Sequence, residues 1–209
     1  MSEKTRGIFI VFEGIDGSGK STQIELLKKA LTERGRQVCV TAEPTDSVSG
    51  RLLREALSGA SHRSPCELAA LFLLDRIYHN VNNECGIEKL LNEGYDVVCD
   101  RYYYSSLAYQ GSETDAAWVK SINLDCPEIR KPDVCIFLDL DPDTSLSRIG
   151  GRGGVTEIYE EKGKLERIRQ KYFEVFESLG ESERVKIISA AASPEEVGWA
   201  VLAAVEELL

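Results

Sequence analysis

Between Gly14 and Ser21 the chain reads Gly-Ile-Asp-Gly-Ser-Gly-Lys-Ser: one glycine, four residues, then Gly19-Lys20-Ser21. This is the P-loop spacing, and its chemistry is the handling of a triphosphate. Glycine lets the backbone curl until successive N–H groups converge on phosphate oxygens, and a helix starting there adds the positive end of its dipole. Ile15, Asp16, Gly17 and Ser18 complete the cradle. Lys20 reaches the β- and γ-phosphates, the Ser21 hydroxyl is suited to ligating magnesium, and Thr22 ends the cofactor-binding stretch. A second concentration runs from Asp96 to Gly111. There an apolar strand ends in Asp100, a carboxylate fit to hold magnesium beside such a loop, directly or through water. Arg101 follows at the carboxyl edge of a sheet, where open α/β sheets bind ligands. The polar and aromatic run after it suits a flat base and a sugar. A third lies at Ser147 to Val155, with four glycines and two arginines, Arg148 and Arg152, in nine residues. Glycine this dense stops a helix, and a movable segment bearing arginine is what a phosphoryl-transfer enzyme closes over its phosphates.

These groups need a scaffold, and the pattern around them predicts one. Ile8-Phe9-Ile10-Val11-Phe12 is an unbroken apolar run, as a strand buried on both faces requires. Further strands are expected at 37–41, 96–100, 133–140 and 184–189, the first spanning 7–13, with helical stretches between them. That alternation predicts an α/β fold, a parallel sheet with helices on both faces. Ile24, Leu27 and Leu31 recur at helical spacing after the loop, and Gly35 stands where that helix stops. Ser64-Pro65-Cys66-Glu67 and Ser193-Pro194-Glu195-Glu196 each read as N-cap, proline and capping-box glutamate, and Asp141-Pro142 is a shorter version. One helix is expected from 65 to about 93, apolar nearly all round at Leu68–Leu74. Such a helix is buried on more than one side, by the core and by another subunit. The last helix aligns Val197, Val201, Val205 and Leu208.

With 209 residues the chain fits one domain, 1–209, with the lid at about 147–157. Its 25 basic and 35 acidic residues leave a net charge of −10, which argues against broad binding to nucleic acid or anionic membrane. No run is long enough to span a bilayer, and the polar start, Met1 to Arg6, contains no apolar signal. The six cysteines form no C-x-x-C pair, and Cys39, Cys99 and Cys135 sit inside strand-like runs, where a reduced cysteine packs as a small hydrophobe. A cytoplasmic protein without disulfides or zinc is expected.

Phe12-Glu13-Gly14 through Lys20-Ser21-Thr22, Glu43-Pro44-Thr45, Leu71-Phe72-Leu73-Leu74-Asp75-Arg76, and Asp100-Arg101-Tyr102 through Tyr109-Gln110-Gly111 together resemble the thymidylate kinases. The order and spacing match from about residue 7 to 205, and the last run is the most specific. The resemblance implies a three-layer P-loop NTPase fold with a five-stranded parallel sheet and a short arginine-bearing lid. It also implies ATP-dependent phosphorylation of dTMP to dTDP in dTTP biosynthesis, with Mg2+ and a homodimer. By the same resemblance Arg76 and Arg101 clamp the acceptor's phosphate, joined by Arg54. Phe72 stacks on thymine; Ser105, Ser106, Tyr109 and Gln110 line base and sugar. Asp16 bonds the 3′-hydroxyl or orders the phosphates, and Glu43 and Pro44 shape the acceptor pocket.

Two departures stand out. Some thymidylate kinases carry an arginine directly after the P-loop aspartate, where this chain has Gly17; those without it supply the cation from the lid, here Arg148 or Arg152. Many also have a glycine pair after Glu-Pro, where this chain has Thr45-Asp46, and an added carboxylate near a phosphate pocket repels unless it turns away or meets a cation. The implied mechanism is direct in-line transfer. The acceptor phosphate is already an anion, so positioning and charge neutralisation by Lys20, Arg101, Mg2+ and the lid arginines carry it, with no strong base. A nucleoside kinase needs a carboxylate base instead. A GTP-binding switch needs Asn-Lys-x-Asp, which the sequence lacks.

Overall fold

The computed structural model describes residues 6–150 and 162–209. The chain runs β1 (Phe9–Glu13), α1 (Lys20–Glu33), β2 (Val38–Ala42), α2 (Val48–Leu57), α3 (Pro65–Val81), α4 (Ile87–Asn92) and β3 (Asp96–Asp100). It continues through α5 (Tyr103–Ala108), α6 (Gln110–Glu113), α7 (Ala116–Leu124), β4 (Val134–Asp139) and α8 (Pro142–Gly150). The last elements are α9 (Lys162–Leu179), a short 3₁₀ turn, β5 (Val185–Ser189) and α10 (Pro194–Glu206). All five strands are parallel, in the order β2-β3-β1-β4-β5. Each expected strand is present within two residues of its expected ends.

The strongly apolar strands follow from burial on both sides. Phe9 and Val11 of β1 point into one core, with Val97, Cys99, Cys135, Phe137, Tyr102 and Tyr172. Ile10 and Phe12 point into the other, with Ile24, Leu27 and Leu31 of α1 and Val197, Val201 and Val205 of α10. Alternation of apolar and polar residues is therefore absent from β1, β3 and β4, as a three-layer sheet demands. Both capping boxes form: the Ser64 and Ser193 hydroxyls accept from the backbone N–H of Glu67 and Glu196, whose carboxylates accept from the cap N–H groups. Asp141 caps α8, its Oδ1 accepting from the backbone of Asp143 and Thr144 at 2.9 and 3.2 Å.

The helix expected over 65–93 is two helices. It stops at Val81 because Asn82 turns its side chain onto the backbone, Oδ1 accepting from the N–H of Glu84 and Cys85 at 2.8 and 2.9 Å. Such a local bond offers the chain an alternative to the helical ladder. On α3, Leu68 and Ala69 are buried, while Leu74 (55% exposed), Tyr78 (43%) and Val81 (42%) form an apolar face turned outward.

β1 is the point from which the chain fills β2 and β3 on one side and β4 and β5 on the other. At the carboxyl ends Phe12 is in register with Asp100 and Ile136, and Glu13 with Phe137. The loops leaving β1 and β3 therefore share one crevice, where a ligand binds in sheets of this kind.

Candidate active site

The loop after β1 is shaped by backbone conformations that favour glycine: Gly14, Gly17 and Gly19 have φ of 146°, 78° and 94°. Gly19 is the N-cap of the fourteen-residue α1, so the positive end of a full helix points into the loop. The Ile15 side chain is buried in the core and anchors the loop from below, so this residue is left only its backbone to offer the cradle. Lys20 is buried, and its Nζ donates to the Gly14 carbonyl at 3.2 Å, folding the side chain across the cradle. Burial, then the neighbouring Arg101, pushes its pKa down; Asp100, Asp16 and Glu13 pull the other way. Ser21 and Thr22 are exposed on the first turn of α1.

Two buried oxygens here, Ser18 Oγ and Asp100 Oδ1, have no hydrogen-bond partner among the described residues. Burying a polar group unpaired is costly, so a pair of them in one crevice marks where a ligand completes the structure. Among the described residues no group of three His, Cys, Asp or Glu side chains could hold a metal by itself. One hydroxyl, one carboxylate and an otherwise phosphate-borne coordination shell is how magnesium is held in nucleotide sites, and Ser21 with Asp100 fits that donor set.

Arg101 stands across the crevice. It is a non-glycine residue with φ of 67°, a left-handed conformation that only its surroundings can maintain. Its guanidinium pairs with Asp16 of the P-loop, donates to Ser105 Oγ at 3.1 Å and lies 5.5 Å over the Tyr109 ring. Burial lowers the Arg101 pKa, but Asp16, helped by Tyr109, Tyr172 and Asp100, raises it well above the ordinary value. Gln110 is buried at the start of α6.

Arg76 of α3 is 1% exposed and heavily engaged. Nε and Nη2 bond Glu43 Oε2 at 2.9 and 2.7 Å; Nη1 donates to Ser106 Oγ at 3.2 Å and to Asn123 Oδ1. The other Glu43 oxygen is 3.0 Å from His79 Nδ1, whose Nε2 is 2.7 Å from Thr41 Oγ1. Arg76 is thus a charge-matched group with four of its five N–H donors engaged. Phe72, one helical turn earlier on the same face, is half-buried against both the main core and the small cluster of Leu53, Ala56 and Leu68.

The loop after β2 holds the cis Glu43–Pro44 bond. Asp75 of α3 gathers it, accepting from Thr45 N and Oγ1, Ser47 Oγ and Ser49 Oγ at 2.7–2.9 Å. Burial raises the Asp75 pKa, but these four bonds outweigh it and leave the carboxyl below its usual range. The carboxylate at Asp46 meets a cation: it pairs with Arg54 of α2, which also donates to the Thr45 carbonyl at 2.6 Å. Arg54 is therefore tied to its own loop.

On the far side α8 lies directly on the P-loop. Ser145 Oγ donates to the Asp16 carbonyl, and a Cβ built on Gly17 would lie 2.7 Å from the Ser145 carbonyl and 3.2 Å from Ile149. Arg148, in the last turn of α8, donates to the Ala190 carbonyl at 3.1 Å and approaches Gly19. Arg152, with 151–157 of the lid, lies outside the described residues.

Pattern reading missed several residues that build this site: Glu13, Asp75, His79, Asn123, Ser145 and Tyr172. Glu13 carried a signal, a carboxylate closing a wholly apolar strand. The others are ordinary helix residues whose partners are distant in sequence.

The chain matches a family model described as thymidylate kinase over residues 12–200. It is 38% identical to a probable thymidylate kinase of Pyrococcus horikoshii over 214 residues, covering 98% of each chain. It is 42% identical to one from Pyrobaculum aerophilum, covering 90% of this chain and 91% of that one. The solved thymidylate kinase of Candida albicans superposes with a TM-score of 0.80 at 25% identity, over 97% of this chain and 92% of that one. The P-loop, the Asp100-Arg101 turn and these likenesses agree: the chain belongs to the thymidylate kinase family, P-loop kinases that use ATP to phosphorylate dTMP to dTDP.

Proposed function

We propose a division of labour for this reaction in which the P-loop and the Arg101 turn present two phosphates to each other in line. The observation that carries it is the Asp16–Arg101 pair, which ties the ATP loop to the acceptor side of the crevice. The backbone N–H groups of 14–20, with Lys20, hold the ATP phosphates. Ser21 and Asp100 are the residues to hold Mg2+, which when bound neutralises charge on the ATP phosphates. Arg101 binds the acceptor's phosphate, with Arg54 joining it on exchange of Asp46 for the substrate. Arg76, neutralised by Glu43 and one turn from Phe72, contributes a single hydrogen bond beside the base rather than a clamp on the phosphate. Phe72 stacks on that base; Ser106, Tyr109 and Gln110 border it and the sugar, and Ser105 acts from behind Arg101. Arg152, with Arg148 orienting its segment, supplies the cation between donor and acceptor that Gly17 does not.

The chain acts as one domain, in the cytoplasm, without nucleic acid or membrane as partner. Leu74, Tyr78 and Val81, one outward face of α3, support the homodimer that the resemblance implies. Sedimentation of Leu74→Glu beside the parent protein tests it. A panel of monophosphates in a coupled ADP-release assay tests the acceptor: dTMP is expected to give the highest kcat/KM, dUMP less by the worth of one methyl, about 10- to 200-fold, and ribonucleotides far less. A clear preference for CMP, UMP or AMP overturns the acceptor assignment, and rapid ATP hydrolysis without any acceptor favours a switch NTPase.

A further inference from the structure

Glu13 closes β1 immediately before the P-loop and is fully buried. Its carboxylate is the common acceptor for two other parts of the molecule. From the Arg101 turn, Oε1 accepts the N–H groups of Tyr102 and Ser105 at 2.9 and 3.1 Å, and Oε2 accepts Ser105 Oγ at 2.7 Å. From α9, Tyr172 Oη donates to Oε2 at 2.8 Å and lies 2.9 Å from Ser105 Oγ. Ser105 Oγ in turn accepts from the Arg101 guanidinium at 3.1 Å. A carboxylate this deep is costly unless every lone pair is used, and Tyr172 is the one donor reaching it from outside the turn among the described contacts. The left-handed Arg101, which no side chain adopts freely, sits in the middle of this arrangement.

We propose that Tyr172 is a positioning residue for the acceptor: its hydroxyl, acting through Glu13 and Ser105, holds the Arg101–Ser105 turn in the shape that aims the guanidinium at the crevice. The proposal rests on the reading that Arg101 binds the acceptor's phosphate. The ring of Tyr172 has its own packing, against Phe137 at 4.9 Å, Phe176 at 5.8 Å and Tyr109 at 6.2 Å, so a phenylalanine keeps the core and loses only the hydroxyl. The molecule also offers an internal control. Tyr104 of α5 is equally buried, packs on Phe176 and donates to a different carboxylate, Glu183 Oε2, at 2.7 Å, rather than to Glu13.

The test compares Tyr172→Phe with Tyr104→Phe in the full chain, measuring melting temperature, ATP Kd, and KM and kcat for dTMP. Loss of a hydrogen bond to a buried charge predicts a KM rise of about ten-fold in Tyr172→Phe, with ATP Kd and kcat within about two-fold. Tyr104→Phe is expected to lower the melting temperature alone. Glu13→Gln is expected to raise KM as well, and the double variant with Tyr172→Phe to add little further, since both act through one contact. Equal KM effects at Tyr172 and Tyr104, or none at Tyr172, overturn the proposal. Arg101→Ala separates the two assumptions. If acceptor affinity survives that change, the phosphate reading has failed; amide exchange at Tyr102 and Ser105 then decides alone, faster in Tyr172→Phe if the hydroxyl restrains the turn and unchanged if it does not.

Discussion

The two halves of the crevice are prepared in opposite ways. On the ATP side the cradle is backbone, and its polar side chains are left open: among the described residues Ser18 and Asp100 each bury an oxygen without a partner, and the Lys20 Nζ donates to a carbonyl. On the acceptor side the guanidiniums are already matched, Arg101 with Asp16, Arg76 with Glu43 and Arg54 with Asp46. Under the roles proposed for Arg101 and Arg54, the incoming phosphate competes with Asp16 and Asp46, whereas Glu43 keeps Arg76. Specificity for an anion that arrives correctly placed is the expected consequence, because a poorly aligned phosphate does not displace a carboxylate already in hydrogen-bond geometry.

The contrast is broken most sharply at the cation expected between the two halves. Arg152→Ala should lower kcat by roughly 10³-fold in single-turnover kinetics while dTMP Kd stays nearly intact, and Arg152→Lys should recover little because a point charge lacks the planar fork. Arg148, already tied to Ala190, is expected to matter less; collapse in Arg148→Ala with normal turnover in Arg152→Ala reverses the roles. Removing a partner from a buried pair comes next. Glu43→Gln leaves Arg76 charged and unmatched and should cost about 3–5 kcal/mol of unfolding free energy, seen as a shifted urea midpoint. Phe72→Leu keeps apolar volume but loses the aromatic face; losing about 1–3 kcal/mol of base stacking should raise KM for dTMP by about ten-fold or more, with ATP Kd and melting temperature little changed. A large loss of stability at constant KM would make Phe72 a core residue. The smallest effect is the most telling for the competition idea. Asp46→Asn releases Arg54 from an exposed pair worth about 0–1 kcal/mol, so KM for dTMP should fall about two-fold in dilute buffer, and the difference should vanish at high salt.

What the sequence disclosed and what it withheld divide along a physical line. β1, β3 and β4 were readable because burial on both faces leaves an unbroken apolar run, and Ser64 and Ser193 because a cap is written within four residues. The P-loop and Asp100-Arg101 were readable for the same reason: their chemistry is local. The break at Asn82 was not, because an asparagine turn leaves the apolar pattern of α3 and α4 almost continuous. The matching of charges was not either. Glu43 and Arg76 are 33 residues apart, and Asn123, which completes the Arg76 shell, is 47 residues from it, with nothing beside it to mark a role. Thr45-Asp46 was readable as a departure from the family; its answer, Asp75 and Arg54, required the packing of α2 on α3.

Gly17 is pressed under α8 with a positive φ and no room for even a methyl group. An arginine placed at 17 would have to lift α8 away from the loop, breaking the bond by which Ser145 holds the Asp16 carbonyl, so this turn cannot host a cation without unseating the helix. An inhibitor built around a loop arginine finds no such group in this protein.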